Sequence, residues 1–240
     1  MFFLLPYLVD VPMHRWPLAN WLLILVTIIV SIAMFPALGQ WEYARFLGVQ
    51  PAPGVVNYFL LDPEHFQLSQ LIGSAFIHGG YWHLFGNMFF LWLFGNAVNA
   101  RLGHWKFLAI YFCAAVFSAI FYLLFGPKMP MLGASGAIMG IMGAFLILYP
   151  RNNVSCIWCF FFRFGTTEFS CYWLLALYFV LNILGLIDSN DHVAHISHIA
   201  GFVFGVAVTS LLVWLNWIEQ TESEENLLEL LSLKKKSQET

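Results

Sequence analysis

Charged residues are scarce in this chain. Only 10% of its 240 residues are Asp, Glu, Lys or Arg, whereas 60% are hydrophobic. A soluble domain typically carries about 25% charged and about 45–50% apolar residues, so this composition argues against a water-soluble protein and predicts a chain solvated mainly by lipid. The net charge of −3 gives no basic surface of the kind that nucleic acids bind, so no nucleic-acid partner is expected.

Cysteine is also sparse, with four residues. Three of the four fall in or near predicted helices, so the sequence does not suggest an extracellular module held together by disulfides. Cys156 and Cys159 form a C-x-x-C pair. Without a second ligand pair this is only a weak metal or redox motif, and the sequence predicts neither a metal nor a cofactor.

Long hydrophobic runs, in contrast, are abundant. A membrane-spanning helix needs about 20 mostly apolar residues. The runs predict an all-α, polytopic membrane protein whose six spans cover residues 21–35, 83–100, 107–125, 135–149, 172–187 and 195–217. We expect one membrane domain over residues 1–217 and a short cytosolic tail over residues 218–240.

Basic residues are distributed unevenly between the predicted loops. Cytoplasmic loops are enriched in Lys and Arg. If both termini are cytoplasmic, only Arg45 and Lys128 fall outside. The other basic residues are then cytoplasmic, namely Arg15, Arg101, Lys106, Arg151, Arg163, Lys234, Lys235 and Lys236. This asymmetry predicts two cytoplasmic termini and a long extracytoplasmic first loop over residues 36–77.

Three of the spans begin with polar side chains that lipid normally excludes. Such groups are costly inside a membrane and are treated as functional by default. They are His78, His83 and Asn87 in the segment that opens the second span, Ser135 on the fourth span, and His195 and His198 on the sixth. At 1.5 Å of rise per residue, Asn87, Ser135 and His198 each lie roughly 21–24 Å above the cytoplasmic end of their helix, in a hydrocarbon core about 30 Å thick. These side chains therefore share one depth and can meet.

Small residues follow both Ser135 and His198. A small-xxx-small face stands next to each, with Gly136 and Gly140 on the fourth span and Gly201 and Gly205 on the sixth. Such faces let two helix backbones approach closely in lipid. Close packing would bring the serine hydroxyl within hydrogen-bond reach of the imidazole, as base-activated nucleophilic attack requires.

Each of these features also has an ordinary structural interpretation. A serine in a membrane helix usually bonds a backbone carbonyl, and a lone histidine is often a packing residue or part of a proton relay. The combination of one depth, two small faces and a polar pair on a third helix favours a catalytic site.

At these positions the sequence resembles the rhomboid intramembrane serine proteases, over roughly residues 51–217. Three family motifs occur in the family's order, namely H-x4-H-x3-N, G-x-S-G and H-x-x-G. Their residues here are His78, His83 and Asn87, then Gly133, Ser135 and Gly136, then His198 and Gly201, with Gly205 one turn further on. One departure is Ser69-Gln70, which stands where the family commonly has Trp-Arg or Trp-Gln.

The resemblance implies a role for each matching residue. Ser135 would be the nucleophile, and His198 would be the general base of a Ser-His dyad. The backbone N–H of Ser135 and the side chains of His83 and Asn87 would hold the oxyanion, with the N–H of Ala134 as a further donor.

Supporting roles are implied for the neighbouring residues. Gly133 would allow the tight approach of its loop, and His78 would brace the first outer loop. His195 matches a second family histidine, and His198 is preferred as the base because Gly201 follows it at the motif's spacing. The implied partners are a transmembrane protein substrate and the lipid bilayer, and the expected location is a bacterial inner membrane. The oligomeric state is left open.

Three other functions fit parts of the sequence. A non-proteolytic rhomboid-like protein would bind membrane helices without cutting them, but such proteins lose the Ser or the His, and both are present here. A proton-coupled transporter would show internal repeats and midplane charges, and neither is found. A serine lipid hydrolase usually carries G-x-S-x-G, and Ala137 stands where the second glycine would be.

Overall fold

The computed structural model describes residues 2–13, 15–49, 51, 54–161, 163–187, 193–218 and 225–231. In chain order its helices are α1 (Leu18–Phe46), α2 (Gln70–Gly73), α3 (Tyr81–Phe90), α4 (Asn96–Leu102), α5 (His104–Phe125), α6 (Ser135–Leu148), α7 (Cys171–Gly185), α8 (His195–Trp214) and α9 (Leu227–Leu230). A π-helical turn, Leu91–Gly95, joins α3 to α4, so that residues 81–102 form one continuous helical segment. Lys234, Lys235 and Lys236 lie outside the described residues.

The chain is a mostly helical membrane protein. Among the described residues, three helices are long and apolar enough to cross a membrane, namely α1, α5 and α8. Helices α6 and α7 are shorter and also apolar. Each of the six apolar runs in the sequence coincides with a helical segment, and large side chains such as Leu22, Ile29 and Leu124 are exposed on the outside of the bundle. Crossing of the membrane by all six segments stays a prediction.

Helix α1 is longer than the sequence analysis predicted. The apolar run ends at Phe35, yet the helix continues through Pro36 to Phe46. The residues after Pro36 include Ala, Leu, Gln, Glu and Arg, which favour helix, so the chain stays helical after it stops being apolar. The non-helical part of the first loop therefore begins near residue 47 and not at residue 36.

Buried asparagines join α1 to the second helical segment. The Asn20 amide donates from Nδ2 to the Leu91 carbonyl at 3.0 Å and to Asn96 Oδ1 at 2.9 Å. The backbone N–H of Asn20 donates to Asn99 Oδ1 at 3.2 Å. Lipid offers no substitute for these partners, so the contacts tie the two helices together where the π-helical turn interrupts regular α-helical bonding.

A three-stranded antiparallel sheet was not predicted from the sequence. It consists of β1 (Phe2–Val9), β2 (Asn153–Phe160) and β3 (Arg163–Ser170), in the order β1-β2-β3. Strands β2 and β3 form a hairpin between α6 and α7, and β1 pairs along the outer edge of β2. Cys156 and Cys159 both lie on β2, three residues apart. Residues at that spacing point to opposite faces of a strand, which prevents them from chelating one ion together.

The sheet lies at the same end of the bundle as several other connections. Strand β1 brings the start of the chain beside the α6–α7 connection. At this end Arg151 also pairs with Glu225 at 2.6 Å, and the Lys106 ammonium donates to the Trp217 carbonyl. Residues 2–9, the hairpin and residues 225–231 therefore share one end, and the loop before α6 lies at the other.

The first loop is held together by Gln70. This side chain is buried, and its Nε2 donates to the carbonyls of Asn57 at 2.7 Å and His65 at 3.2 Å. Its Oε1 accepts from the backbone N–H groups of Asp62 and Gln67, each at 3.2 Å. Four hydrogen bonds from one amide thus anchor the loop, so replacement of the family's Trp by Ser69 leaves this anchor in place.

Candidate active site

Ser135 and His198 face each other at the start of two packed helices. Ser135 is the first residue of α6, and His198 lies in the first turn of α8. The Ser135 Oγ lies 2.6 Å from His198 Nε2. The structure therefore brings together the two side chains that the sequence analysis paired, at a distance suited to proton transfer.

Glycines make this contact possible. A Cβ added at Gly201 would lie 2.0 Å from the Gly136 carbonyl oxygen, and one at Gly205 would lie 1.9 Å from the Gly140 carbonyl oxygen. Any larger residue at either α8 position would force the helices apart. The small faces on α6 and α8 lie directly against each other, which fixes the separation between the serine and the imidazole.

The loop before α6 packs against His83. Gly133 has a φ of +118°, a conformation that L side chains rarely adopt. A Cβ there would approach His83 Cε1 to 2.8 Å and Nε2 to 2.9 Å, and would lie 3.9 Å from Ser135 Oγ. Glycine is needed both for the backbone conformation and for space, and the His83 ring reaches the immediate surroundings of the serine as a result.

His78 is fully buried beside the same loop. Its Nδ1 lies 2.9 Å from Ser31 Oγ. The Ser31 hydroxyl donates to the Phe76 carbonyl at 2.8 Å, so its oxygen accepts from Nδ1–H. The other ring nitrogen of His78, Nε2, then accepts from the Ala134 N–H at 3.3 Å. The Ala134 N–H is thus already engaged by His78 in this structure.

Asn87 lies one turn after His83 on α3 and is buried. Its Nδ2 donates to the His83 carbonyl at 2.9 Å. The amide is therefore anchored to its own helix. The second hydrogen on Nδ2 takes part in no hydrogen bond among the described residues, which leaves it available to a ligand in the cavity.

Asn182 was not identified from the sequence. It lies on α7, and its Oδ1 is 2.7 Å from His198 Nδ1 and 3.0 Å from His195 Nδ1. The His195 ring packs over Gly185, where a Cβ would lie 2.3 Å from the ring. The signal for Asn182 was an isolated amide within an otherwise apolar run, which is costly in lipid without a partner.

These side chains line a cavity of about 850 Å³. Its polar lining residues include Ser135, His198, His83, Asn87 and Asn182. Much of the remaining wall is apolar, and includes Phe90, Ile138, Met139, Met142 and Leu181. A mainly apolar cavity with a few converging polar groups is the usual form of a ligand site.

The described residues contain one group with the spacing of metal ligands. Asp62, Glu64 and His65 have potential ligand atoms within 4.8 Å of one another. They lie in the first loop, where Asp62 accepts from the Glu64 N–H at 3.0 Å and lies 3.2 Å from the His65 ring nitrogen. None of the three is among the residues that line the cavity around Ser135.

The part of the chain that carries these residues is similar in sequence to known proteins. A family model described as the Rhomboid domain matches residues 65–215, which is more than half of the chain. The chain belongs to the rhomboid family. The resemblance stated from the motifs is therefore confirmed, and it covers Gln70, the α3–α4 segment and both small faces of this rhomboid.

Individual relatives support the same assignment. This rhomboid is 34% identical over 136 residues to Rhomboid protein 1, mitochondrial, of Saccharomyces cerevisiae, covering 52% of this chain and 36% of that protein. It is 32% identical over 115 residues to the human Presenilin-associated rhomboid-like protein, mitochondrial, covering 46% and 30%. It is 38% identical over 84 residues to Rhomboid protease GluP of Bacillus subtilis, covering 35% and 16%.

The relatives also bear on location. The chain spans about a third of the length of the yeast and human relatives. Two of the three named relatives are mitochondrial and one is bacterial. A membrane location is therefore supported, whereas the bacterial inner membrane expected from the sequence has no support over a mitochondrial one.

Proposed function

We propose that this rhomboid is an intramembrane serine endopeptidase that cleaves transmembrane segments of membrane proteins. The observation that carries the proposal is the 2.6 Å contact between Ser135 Oγ and His198 Nε2 at the wall of the cavity. A hydroxyl paired with an imidazole in this way is the arrangement of an activated nucleophile. The printed name of one relative, Rhomboid protease GluP, describes a protease.

The chemistry follows from the two side chains. His198 Nε2 takes the hydroxyl proton as Ser135 Oγ attacks the scissile carbonyl, and a tetrahedral oxyanion forms. The imidazolium then gives the proton to the leaving amine, and an acyl-enzyme remains. Water attacks the ester with the same histidine as base, which releases the acid product and restores the serine.

The oxyanion is held where α6 begins. The N–H groups of the first turn have no acceptor within their helix, and the helix dipole favours negative charge there. We assign the Ser135 N–H, the free N–H of Asn87 and the His83 ring to this role. Ala134 is left out of the set because its N–H is bonded to His78.

The protein is proposed to cross the membrane with all six helical segments, over residues 1–217, and to place residues 218–240 in a cytosolic tail. The sheet end carries Arg101, Lys106, Arg151 and Arg163, which favours that end as cytoplasmic. The substrate is then a transmembrane protein that enters from the bilayer and is cut nearer the opposite face.

A non-proteolytic rhomboid that only binds membrane helices is the alternative. It would have no use for a serine and a histidine held in hydrogen-bond contact at a cavity wall. The observed contact therefore favours the protease.

The direct test is cleavage of a substrate by the purified protein in detergent or liposomes. A tagged single-span membrane protein with helix-breaking residues in its span is incubated with wild type and with Ser135→Ala. We expect cut fragments with the wild type and background levels with the variant. Labelling of the wild type by a fluorophosphonate probe, and not of the variant, would show a reactive serine independently of the substrate chosen. Equal fragment yields from both proteins would refute the proposal.

The orientation has its own test. In a background without the four native cysteines, Lys128→Cys should react with a membrane-impermeant thiol reagent added outside intact cells. Lys106→Cys, at the sheet end, should react only after the membrane is opened, because the sheet end is proposed to be cytoplasmic. The opposite labelling pattern would invert the topology.

A further inference from the structure

We infer that Asn182 is a positioning residue that fixes the catalytic imidazole of His198 in its base form and holds His195 in the same network. The inference rests on the proposed function, since it concerns how the base of that reaction is oriented. It starts from the contacts of the Asn182 side chain, which lies on α7 across from the first turn of α8.

The orientation of the amide follows from its partner on α7. Asn182 Nδ2 lies 2.8 Å from the Tyr178 carbonyl oxygen, one helical turn earlier. A carbonyl can only accept a hydrogen bond, so the nitrogen end of the amide must face it. The oxygen end is thereby directed at the two histidines.

The orientation of the amide decides where the imidazole protons are. Asn182 Oδ1 can only accept, and it lies 2.7 Å from His198 Nδ1 and 3.0 Å from His195 Nδ1. Both Nδ1 atoms must therefore donate. A neutral imidazole with its proton on Nδ1 has a lone pair on Nε2. In His198 that lone pair faces the Ser135 hydroxyl, which is the tautomer a general base needs.

This arrangement resembles a triad in geometry but not in charge. In a Ser-His-Asp triad the carboxylate both orients the histidine and stabilises its positive charge. Asn182 is neutral, so it supplies the orientation and only the dipole of its amide. An amide that merely joined α7 to α8 would need one partner, whereas this oxygen accepts from two imidazoles, one of which contacts the nucleophile.

The choice of substitutions separates positioning from packing. Asn182→Asp keeps an acceptor oxygen of similar size but adds a charge inside the bundle. Asn182→Leu keeps the branched shape of the side chain and removes the acceptor. Asn182→Ala removes both the acceptor and the bulk. If the residue served only packing, leucine would be tolerated best and aspartate worst. If it positions His198, aspartate would retain more activity than leucine or alanine.

We expect kcat to fall about 10- to 100-fold in Asn182→Leu and Asn182→Ala, as part of the 10²–10⁴-fold that a well-placed base contributes. KM should stay within about twofold, because the effect acts on proton transfer and not on substrate binding. The rate of fluorophosphonate labelling of Ser135 should fall in parallel. Asn182→Asp should recover most of both rates.

Asn99→Leu is the matched control, because it also removes a buried asparagine that joins two helices, α1 and α4. It should lower the melting temperature without changing the labelling rate of the folded protein. The inference would be overturned if folded Asn182→Leu or Asn182→Ala had wild-type kcat and labelling rates. It would also be overturned if either variant were more active than Asn182→Asp. Both results would leave the proposed function standing. A different result would be that fluorophosphonate labelling of Ser135 depends on Asn182 while the wild-type protein cleaves no membrane protein. That result would refute the proposed substrate class and leave the positioning role intact.

Discussion

Ser135→Ala and His198→Ala are each expected to lower kcat by on the order of 10⁴–10⁶-fold, and the double variant is expected to be no slower than either one. The hydroxyl and the imidazole act as a unit across their 2.6 Å contact. Without the serine hydroxyl the imidazole has no proton to accept, and without the imidazole the hydroxyl is not activated. The second substitution therefore lowers the rate no further.

The measurement is single-turnover cleavage of a tagged membrane substrate at saturating enzyme, which isolates the chemical step. Ser118→Ala is a suitable control because Ser118 is a buried serine that donates to the carbonyl of Ala115 on its own helix. It should retain activity, as expected for a serine with a purely structural bond. Losses that simply multiply in the double variant would mean that Ser135 and His198 act independently and do not form a dyad.

The helical bundle could be predicted because its signals are local. A run of apolar residues is visible in any window, and residues 107–125 predicted nearly the same bounds as the helix His104–Phe125. The end of α1 could not be found in that way. Hydropathy indicates only where the apolar run ends. Residues Ala37 to Phe46 continue the helix because of their helix propensity and their packing.

The sheet escaped prediction for a different reason. Strand β1 is separated from β2 by more than 140 residues, and pairings such as Val9 with Val154 leave no mark in either segment alone. The β2 segment also reads as a mixed run of Ser, Cys, Ile and Trp with only a weak alternation. Strand β1, which depends on a distant partner for its hydrogen bonds, is therefore specified by the fold and not by its own residues.

The candidate site could also be predicted only in part. Ser135, His198 and the facing glycines were found because small faces and polar groups at one depth are patterns of spacing along single helices. The sequence analysis missed Asn182 and Ser31 because each lies within a mostly apolar run, and the role of each depends on which histidine ring it contacts. The contacts that orient His198 and His78 come from other helices, α7 and α1.

Asn87→Ala is expected to lower kcat by about 10²–10³-fold, the usual cost of one lost oxyanion donor. Asn87 was first singled out because an unpaired amide in hydrocarbon would be costly. The structure supplies a partner, since one hydrogen of Nδ2 is donated to the His83 carbonyl. That bond strengthens the assignment, because it holds the nitrogen in place and leaves the second hydrogen available at the wall of the cavity that contains Ser135.

The variant Asn87→Asp tests donation directly, since a carboxylate has similar shape but no hydrogen to give. It should be as slow as Asn87→Ala, whereas a packing role would spare whichever variant better preserves the folded protein. KM should change little in both variants, because the donor acts on charge that exists only in the transition state. A raised KM with unchanged kcat would make Asn87 a binding residue. The oxyanion would then be stabilised by the Ser135 N–H and by the His83 ring, which packs against Gly133 close to the serine.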